Sequence, residues 1–438
     1  MIRVRFPPMA GATRLVTGFV LAAALAITPA AAVQTPPQSG CVGHPDVTAA
    51  ATEPLPGALI EVVDRHLSDP GLADADLGLS LWIDGYSEVA ASIPNRRLRP
   101  ASAQKILTAI AAFEVLGPDR RMATTVVVDG PVIDGTVAGN LYLVGGGDPT
   151  LTRGGGHSLS TLAGMVRLHG ISAVAGGVVV DESRYDSRRD ADGWDTDDFP
   201  ESVGSLSALV VDGNDYRGDV PFYVSPALHN GRLFGQMLAG RGVTVGAAPM
   251  LGMAPDGAEV IAEVRSPPVS DLVAEILTES DNTVAELLLK EVGLVATGRG
   301  STRMGAEAAE EVSLSLCMRA SVEQADGSGL SDLDARSARD WRSLLQAAQS
   351  RDWYPLLLDG LALAGQTGTL QNRFVDTAAQ GNMRAKSGTI ERLRSLTGLM
   401  TTAGGRRVFF SVIIQADEPF RGLQLLDAML AEIAADRS

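Results

Sequence analysis

Three consecutive stretches near the C-terminus, Arg384 to Thr389, Leu393 to Thr402 and Arg407 to Ile414, read as antiparallel strands, with Ala403-Gly404-Gly405-Arg406 as the turn between the last two. An amphipathic helix, Phe420 to Ala435, closes the chain with acids on its outer face. The other end of the sequence carries matching pieces. Pro56 to Leu67 reads as a helix, Leu77 to Asp84 alternates like a strand, and a second strand around Glu88 to Ile93 follows a turn at Gly85. Ser102 to Leu116 reads as a helix with Ile106, Ile110 and Phe113 on one apolar face, stopped by Gly117-Pro118.

Between these ends the texture changes. From about Arg121 to Ala254 short β-rich runs (Thr124 to Val128, Asn140 to Val144, Gly177 to Asp181) alternate with glycine clusters, and helical character returns at Val269 to Leu277 and Thr283 to Val292. The expected fold is therefore α+β, an antiparallel sheet flanked by helices and made of two sequence pieces, 55–120 and 255–438, with an inserted β-rich domain at 121–254. At 438 residues the chain has ample material for two such units.

Residues 1–32 carry Arg3, Arg5 and Arg14, then the apolar run Leu15 to Ile27, then Pro29 and Ala30-Ala31-Ala32. This pattern predicts a signal peptide followed by a linker at 33–54, an uncleaved anchor being the other reading. Export would permit a bridge between Cys41 and Cys317, although two independent thiols fit the sequence as well. The excess of 52 acidic over 36 basic residues rules out electrostatic capture by nucleic acid or an anionic membrane. His44, His66, His157, His169 and His229 lie at no ligand-like spacing, so neither a zinc nor an iron–sulfur site is expected.

Only three of the basic residues are lysine: Lys105, Lys290 and Lys386. Arginine stays charged wherever it is placed, whereas a desolvated ammonium can lose its proton near neutral pH and act as a base. Lys105 closes Ser102-Ala103-Gln104-Lys105 at the start of a helix. At i and i+3 the hydroxyl and the amine share a face, and the helix N-terminus favours a developing alkoxide. Lys386 opens Lys386-Ser387-Gly388-Thr389 in the first C-terminal strand, where the glycine admits a substrate backbone. Ser280-Asp281-Asn282 precedes a helix and supplies a hydroxyl and an amide two residues apart. Lys290 reads as a plain i,i+4 partner of Glu286.

Ser-x-x-Lys, Ser-Asp-Asn and Lys-Ser-Gly-Thr, in that order, resemble the serine penicillin-recognising enzymes. Within that group the chain resembles the class C low-molecular-mass penicillin-binding proteins of the D-alanyl-D-alanine carboxypeptidase/endopeptidase family, over roughly residues 55–430. Leu143 to Leu151 (LVGGGDPTL) looks like the family's inserted-domain signature, and Asp326 to Ser331, Gly368-Thr369-Leu370, Asn372-Arg373-Phe374 and Ser395 to Gly398 resemble other family segments.

The resemblance implies a penicillin-binding/serine β-lactamase-like fold and an exported enzyme that needs no cofactor or metal. By likeness, Ser102 is the acylated nucleophile and Lys105 its base. Ser280 and Lys386 relay a proton to the departing D-alanine, and Asn282 positions the substrate amide. Ser387, Gly388 and Thr389 bind the substrate end, with the terminal carboxylate on the two hydroxyls, and the N–H groups of Ser102 and Thr389 form the oxyanion hole. Peptidoglycan stem peptides ending in D-Ala-D-Ala are the implied partners and β-lactams the inhibitors, with no nucleic acid and no strong membrane anchor once the leader is removed. Two departures stand out. The short interval from Ser102 to Ser280 implies a reduced or missing third domain, and Lys-Ser-Gly replaces the commoner Lys-Thr-Gly. A secreted serine β-lactamase and a catalytically idle penicillin-fold sensor are the competing readings.

Overall fold

A computed structural model describes residue 51, residues 53–199, 201–214 and 225–316, residue 318 and residues 324–438. The expected leader, Cys41 and Cys317 lie outside the described residues.

The main sheet has six antiparallel strands in the order Ala362–Leu363, Arg384–Ile390, Leu393–Thr401, Arg407–Gln415, Asp76–Ile83, Ser87–Ser92. The N-terminal pair thus completes the C-terminal meander, with Leu79 opposite Val412 and Leu81 opposite Phe410. Both central strands are buried on both faces. Their near-continuous apolar runs are the signature of that double coverage, even in an antiparallel sheet. On one face Leu79, Leu81, Ile83, Phe410 and Val412 meet helices Gly57–Leu67 and Pro419–Ala434. The latter buries Leu423, Leu426, Met429, Leu430 and Ile433, a stripe at helical spacing. On the other face Phe409 and Ile413 join a helical layer built from Gln104–Val115, Val269–Thr278, Asn282–Thr297 and Ala338–Ala348.

The interrupting segment forms a seven-stranded sheet of its own. Strand Glu259–Arg265 pairs with Ala123–Val128, so this sheet runs past the expected boundary at 254 to Arg265. The segment is also less purely β than its glycine-rich texture suggests. Strand Ala173–Asp181 pairs in parallel with Leu141–Val144 and with Thr244–Leu251. Parallel neighbours need crossovers, which helices Leu159–Leu168 and Pro226–Ala239 supply. Leu162, Val166, Phe234 and Leu238 pack on Leu141, Leu143, Val178 and Val180.

Candidate active site

The Ser102 turn is wedged between the sheet edge and a loop. Residues Ala101–Ala103 form a 3-10 turn that runs into helix Gln104–Val115, and Ala101 takes a left-handed φ of 47°. Non-glycine residues adopt that conformation only when their surroundings impose it. Here the Ser395 hydroxyl donates to Pro100 O at 2.7 Å. Two glycines then allow backbone to close in. A Cβ at Gly329 would stand 1.9 Å from Ala101 O, and one at Gly388 would stand 3.0 Å from Ser102 N and 2.2 Å from Ser395 Oγ. Gly388 is therefore what lets strand Arg384–Ile390 pass directly beside the Ser102 turn.

Lys105 is 0% exposed on the first turn of its helix. Its Nζ donates to Ser102 Oγ at 3.1 Å, Ser328 O at 2.7 Å and Asn282 Oδ1 at 2.5 Å. Every one of these acceptors is uncharged. Burial therefore lowers the lysine to about 8, with Asp326, Glu286, Asp281 and Asp334 opposing the shift from a distance.

Lys386 is also 0% exposed. Its Nζ donates to Ser280 Oγ at 2.9 Å and Ser387 O at 2.8 Å, and burial followed by repulsion from Lys105 holds it well below the usual lysine range. Ser280 sits between helix Val269–Thr278 and helix Asn282–Thr297 with φ of 70°, a strained conformation at the junction. Asp281 caps the second helix by accepting from Val284 N at 2.8 Å, so the sequence Ser-Asp-Asn serves capping and site geometry together.

The eight residues singled out in the sequence gather on these elements. Ser102, Lys105 and Asn282 form one hydrogen-bonded group, and Ser280 with Lys386 forms a second. Ser387 and Thr389 lie two apart on the strand and so share its face, opposite Lys386 and Gly388. Thr389 is exposed, and Ser387 donates to Thr369 Oγ1 at 2.7 Å. Strand Ala362–Leu363 pairs with Arg384 and Ala385, so on that side residues from 386 onward carry no strand partner among the described residues. A cleft of about 350 Å³ adjoins Ser280 and Asn282, lined also by Glu201, Ser202, Asp212 and Asp281.

Sequence reasoning missed several participants. Asn282 Nδ2 donates to Ser202 O at 2.7 Å, which ties the site to the interrupting segment. Trp194 Nε1 donates to Asp326 Oδ2 at 2.8 Å, and the Ser328 carbonyl that receives Lys105 was not foreseen. Lys290 needs correction: it is 1% exposed and donates to Asp186 Oδ1 at 2.5 Å, so it does not serve as the surface partner of Glu286. Glu286 is itself 0% exposed and accepts from Gly327 N and Ser328 N. The available signal was its position four residues after Asn282, on the same helical face and inside the run Val284 to Leu289.

An antiparallel sheet between two helical layers, with a Ser-x-x-Lys turn against strand Arg384–Ile390, is the architecture of the penicillin-binding serine enzymes. The D-Ala-D-Ala carboxypeptidase 3 (S13) family matches over residues 59–222 and 220–435, and the chain belongs to that family. It is 32% identical over 451 residues to the carboxypeptidase DacB of Mycolicibacterium smegmatis, spanning 96% of this chain and 92% of that protein. It is 29% identical to the D-alanyl-D-alanine carboxypeptidase of Actinomadura sp. strain R39, spanning 86% and 84% of the two chains. The crystal structure of penicillin-binding protein 4 from Haemophilus influenzae superposes with a TM-score of 0.75 over 86% of this chain and 99% of that one, at 21% identity. A predatory peptidoglycan endopeptidase from Bdellovibrio bacteriovorus shares the fold with a TM-score of 0.53 at 14% identity, over 82% and 92% of the two chains.

Proposed function

We propose that this serine peptidase removes the terminal D-alanine from peptidoglycan stem peptides through an ester on Ser102. Ser102 Oγ attacks the carbonyl of the penultimate D-alanine while its proton passes to the neutral Lys105 amine. The oxyanion is held by the N–H groups of Ser102 and Thr389. As the C–N bond breaks, the leaving amine takes a proton from Ser280, and Ser280 is reprotonated through the Lys386 amine with the proton that Lys105 received from Ser102. Ser387 and Thr389 hold the departing carboxylate and Asn282 holds the substrate amide. Water then attacks the ester and returns Ser102.

The contact from buried Lys105 to Ser102 Oγ, 3.1 Å long, carries this reading. The leader-like residues 1–32 support action outside the cytoplasm, where the polymer lies. No helix among the described residues is long and apolar enough to cross a membrane. The lactamase alternative is weakened at Glu286: its carboxyl is enclosed and engaged by backbone N–H groups, so it offers no open base for hydrolysis of a penicilloyl ester.

Intact mass measured over hours after mixing with a penicillin tests the proposal. A persistent adduct on Ser102 is expected, together with release of D-alanine from a pentapeptide. Rapid turnover would favour a lactamase, and the absence of any adduct an idle binding protein.

A further inference from the structure

Behind Lys105 lies a closed nest of three carboxyl groups, Glu286, Asp326 and Asp334, each 0% exposed. Asp326 is well supplied with donors, accepting from the N–H groups of Ser328, Gly329 and Ser331 and from the Trp194 indole. Glu286 differs. Its Oε1 accepts from Gly327 N at 2.9 Å and Ser328 N at 2.7 Å, whereas its buried Oε2 accepts no hydrogen bond from the described residues. The peptide it grips carries the Ser328 carbonyl that receives Lys105 at 2.7 Å, and the Gly327 carbonyl that accepts from Thr108 Oγ1 at 2.7 Å, one turn further along the lysine's helix.

We propose that Glu286 is a positioning residue for acylation: it holds the Gly327–Ser328 backbone against Lys105 and governs how readily that lysine gives up its proton. This rests on Lys105 being the base.

An ionised carboxylate is costly to bury where one of its oxygens meets no protein donor, whereas a protonated one is tolerable. Burial, then Asp326, pushes Glu286 up to about 8, against the pull of the Ser328 hydroxyl and the two N–H groups. Asp334, also with a donor-less Oδ2, is raised well above the usual carboxylate range by burial and Asp326. The charged groups facing Glu286 are Lys105 from the Ser102 helix, Asp326 and Asp334 from the loop, and Lys290 from its own helix. Every negative charge in this nest holds the proton on Lys105, because opposite charge favours the ammonium. With Glu286 and Asp334 kept neutral, two of those restraints are absent when the amine must accept the serine proton. As pH rises and Glu286 ionises, Lys105 is held charged to a higher pH than burial alone would dictate.

Glu286→Gln copies the protonated form, retaining an acceptor for both N–H groups and deleting the ionisation. The test is the pH dependence of penicillin acylation of the full chain, with Glu286→Ala beside it. In the Gln variant the midpoint of the rising limb is expected to move to lower pH by about one unit, the size of one nearby charge at an effective dielectric near 20. In the Ala variant the maximal acylation rate is expected to fall at least about tenfold, with half-saturating concentration within about twofold, because the carbonyl that orients Lys105 loses its support. A Gln profile that superimposes on wild type, or shifts upward, overturns the proposal. So does a Gln variant that fails to fold by circular dichroism, since the structure would then need the ionised form. Lys105→Arg separates the two claims: acylation surviving there removes Lys105 as the base, whereas an unshifted Gln profile with Lys105→Arg inactive removes only the role of Glu286.

Discussion

Lys105 on helix Gln104–Val115, Lys386 on strand Arg384–Ile390 and Lys290 on helix Asn282–Thr297 are all buried to within 1% of complete enclosure, yet their surroundings divide them. Lys290 meets a carboxylate, Asp186, and beside it Glu291 receives Arg120, Arg184 and the Tyr185 hydroxyl. This cluster clamps residues 184–186 of the interrupting segment to the helix. The other two amines meet hydroxyl, amide and carbonyl oxygens only. Desolvation lowers all three. What separates the fastener from the two amines proposed to move protons is whether a fixed negative charge compensates that burial: with one, the ammonium is retained as an ion pair, and without one the neutral amine comes within reach.

The contrast can be broken most severely at Lys105. Lys105→Arg keeps a cation but removes the proposed base, so penicillin acylation should fall by about 10³-fold or more, at the upper end of what general base catalysis supplies, with an unchanged far-UV spectrum. In the native enzyme the acylation rate should rise as pH climbs through about 8, since the neutral fraction of an amine shifted down to that value grows about tenfold per unit below it. A pH-independent rate from 6 to 9 would contradict this assignment.

Lys386→Gln comes next. Removal of the proposed proton relay behind Ser280 should lower D-alanine release from a peptide by about 10²-fold, and should affect a β-lactam less, because the opened ring keeps its leaving amine tethered. Gly388→Ala is expected to cost about tenfold in acylation, by pressing on Ser102 N and Ser395 Oγ. Lys290→Met should show the smallest kinetic effect, with acylation within about twofold of wild type. Its cost should fall on stability instead, about 1–3 kcal/mol by urea unfolding, for the lost charged hydrogen bond to a partly exposed Asp186. Loss of acylation without loss of stability in Lys290→Met would erase the distinction between the two environments.

Much of this site was legible as sequence because it is local. Ser102 and Lys105 lie one helical turn apart, Ser280 and Asn282 flank a capping aspartate, and Lys386 to Thr389 occupy one strand, so spacing alone brings each group together. The meander, its closing helix and the helix after Ser102 were visible for the same reason: their periodicities are carried within a dozen residues. The module's parallel pairing was hidden, since it depends on crossovers whose helices are short and interrupted by glycine.

The sequence by itself determined the three motifs, their order and the scarcity of lysine that drew attention to two of them. Only the tertiary structure decided which lysine would be compensated. That depends on charges far apart along the chain, Asp186 beside Lys290 and a neutral carbonyl from Ser328 beside Lys105, and burial makes those partners decisive by stripping away the water that would otherwise screen them.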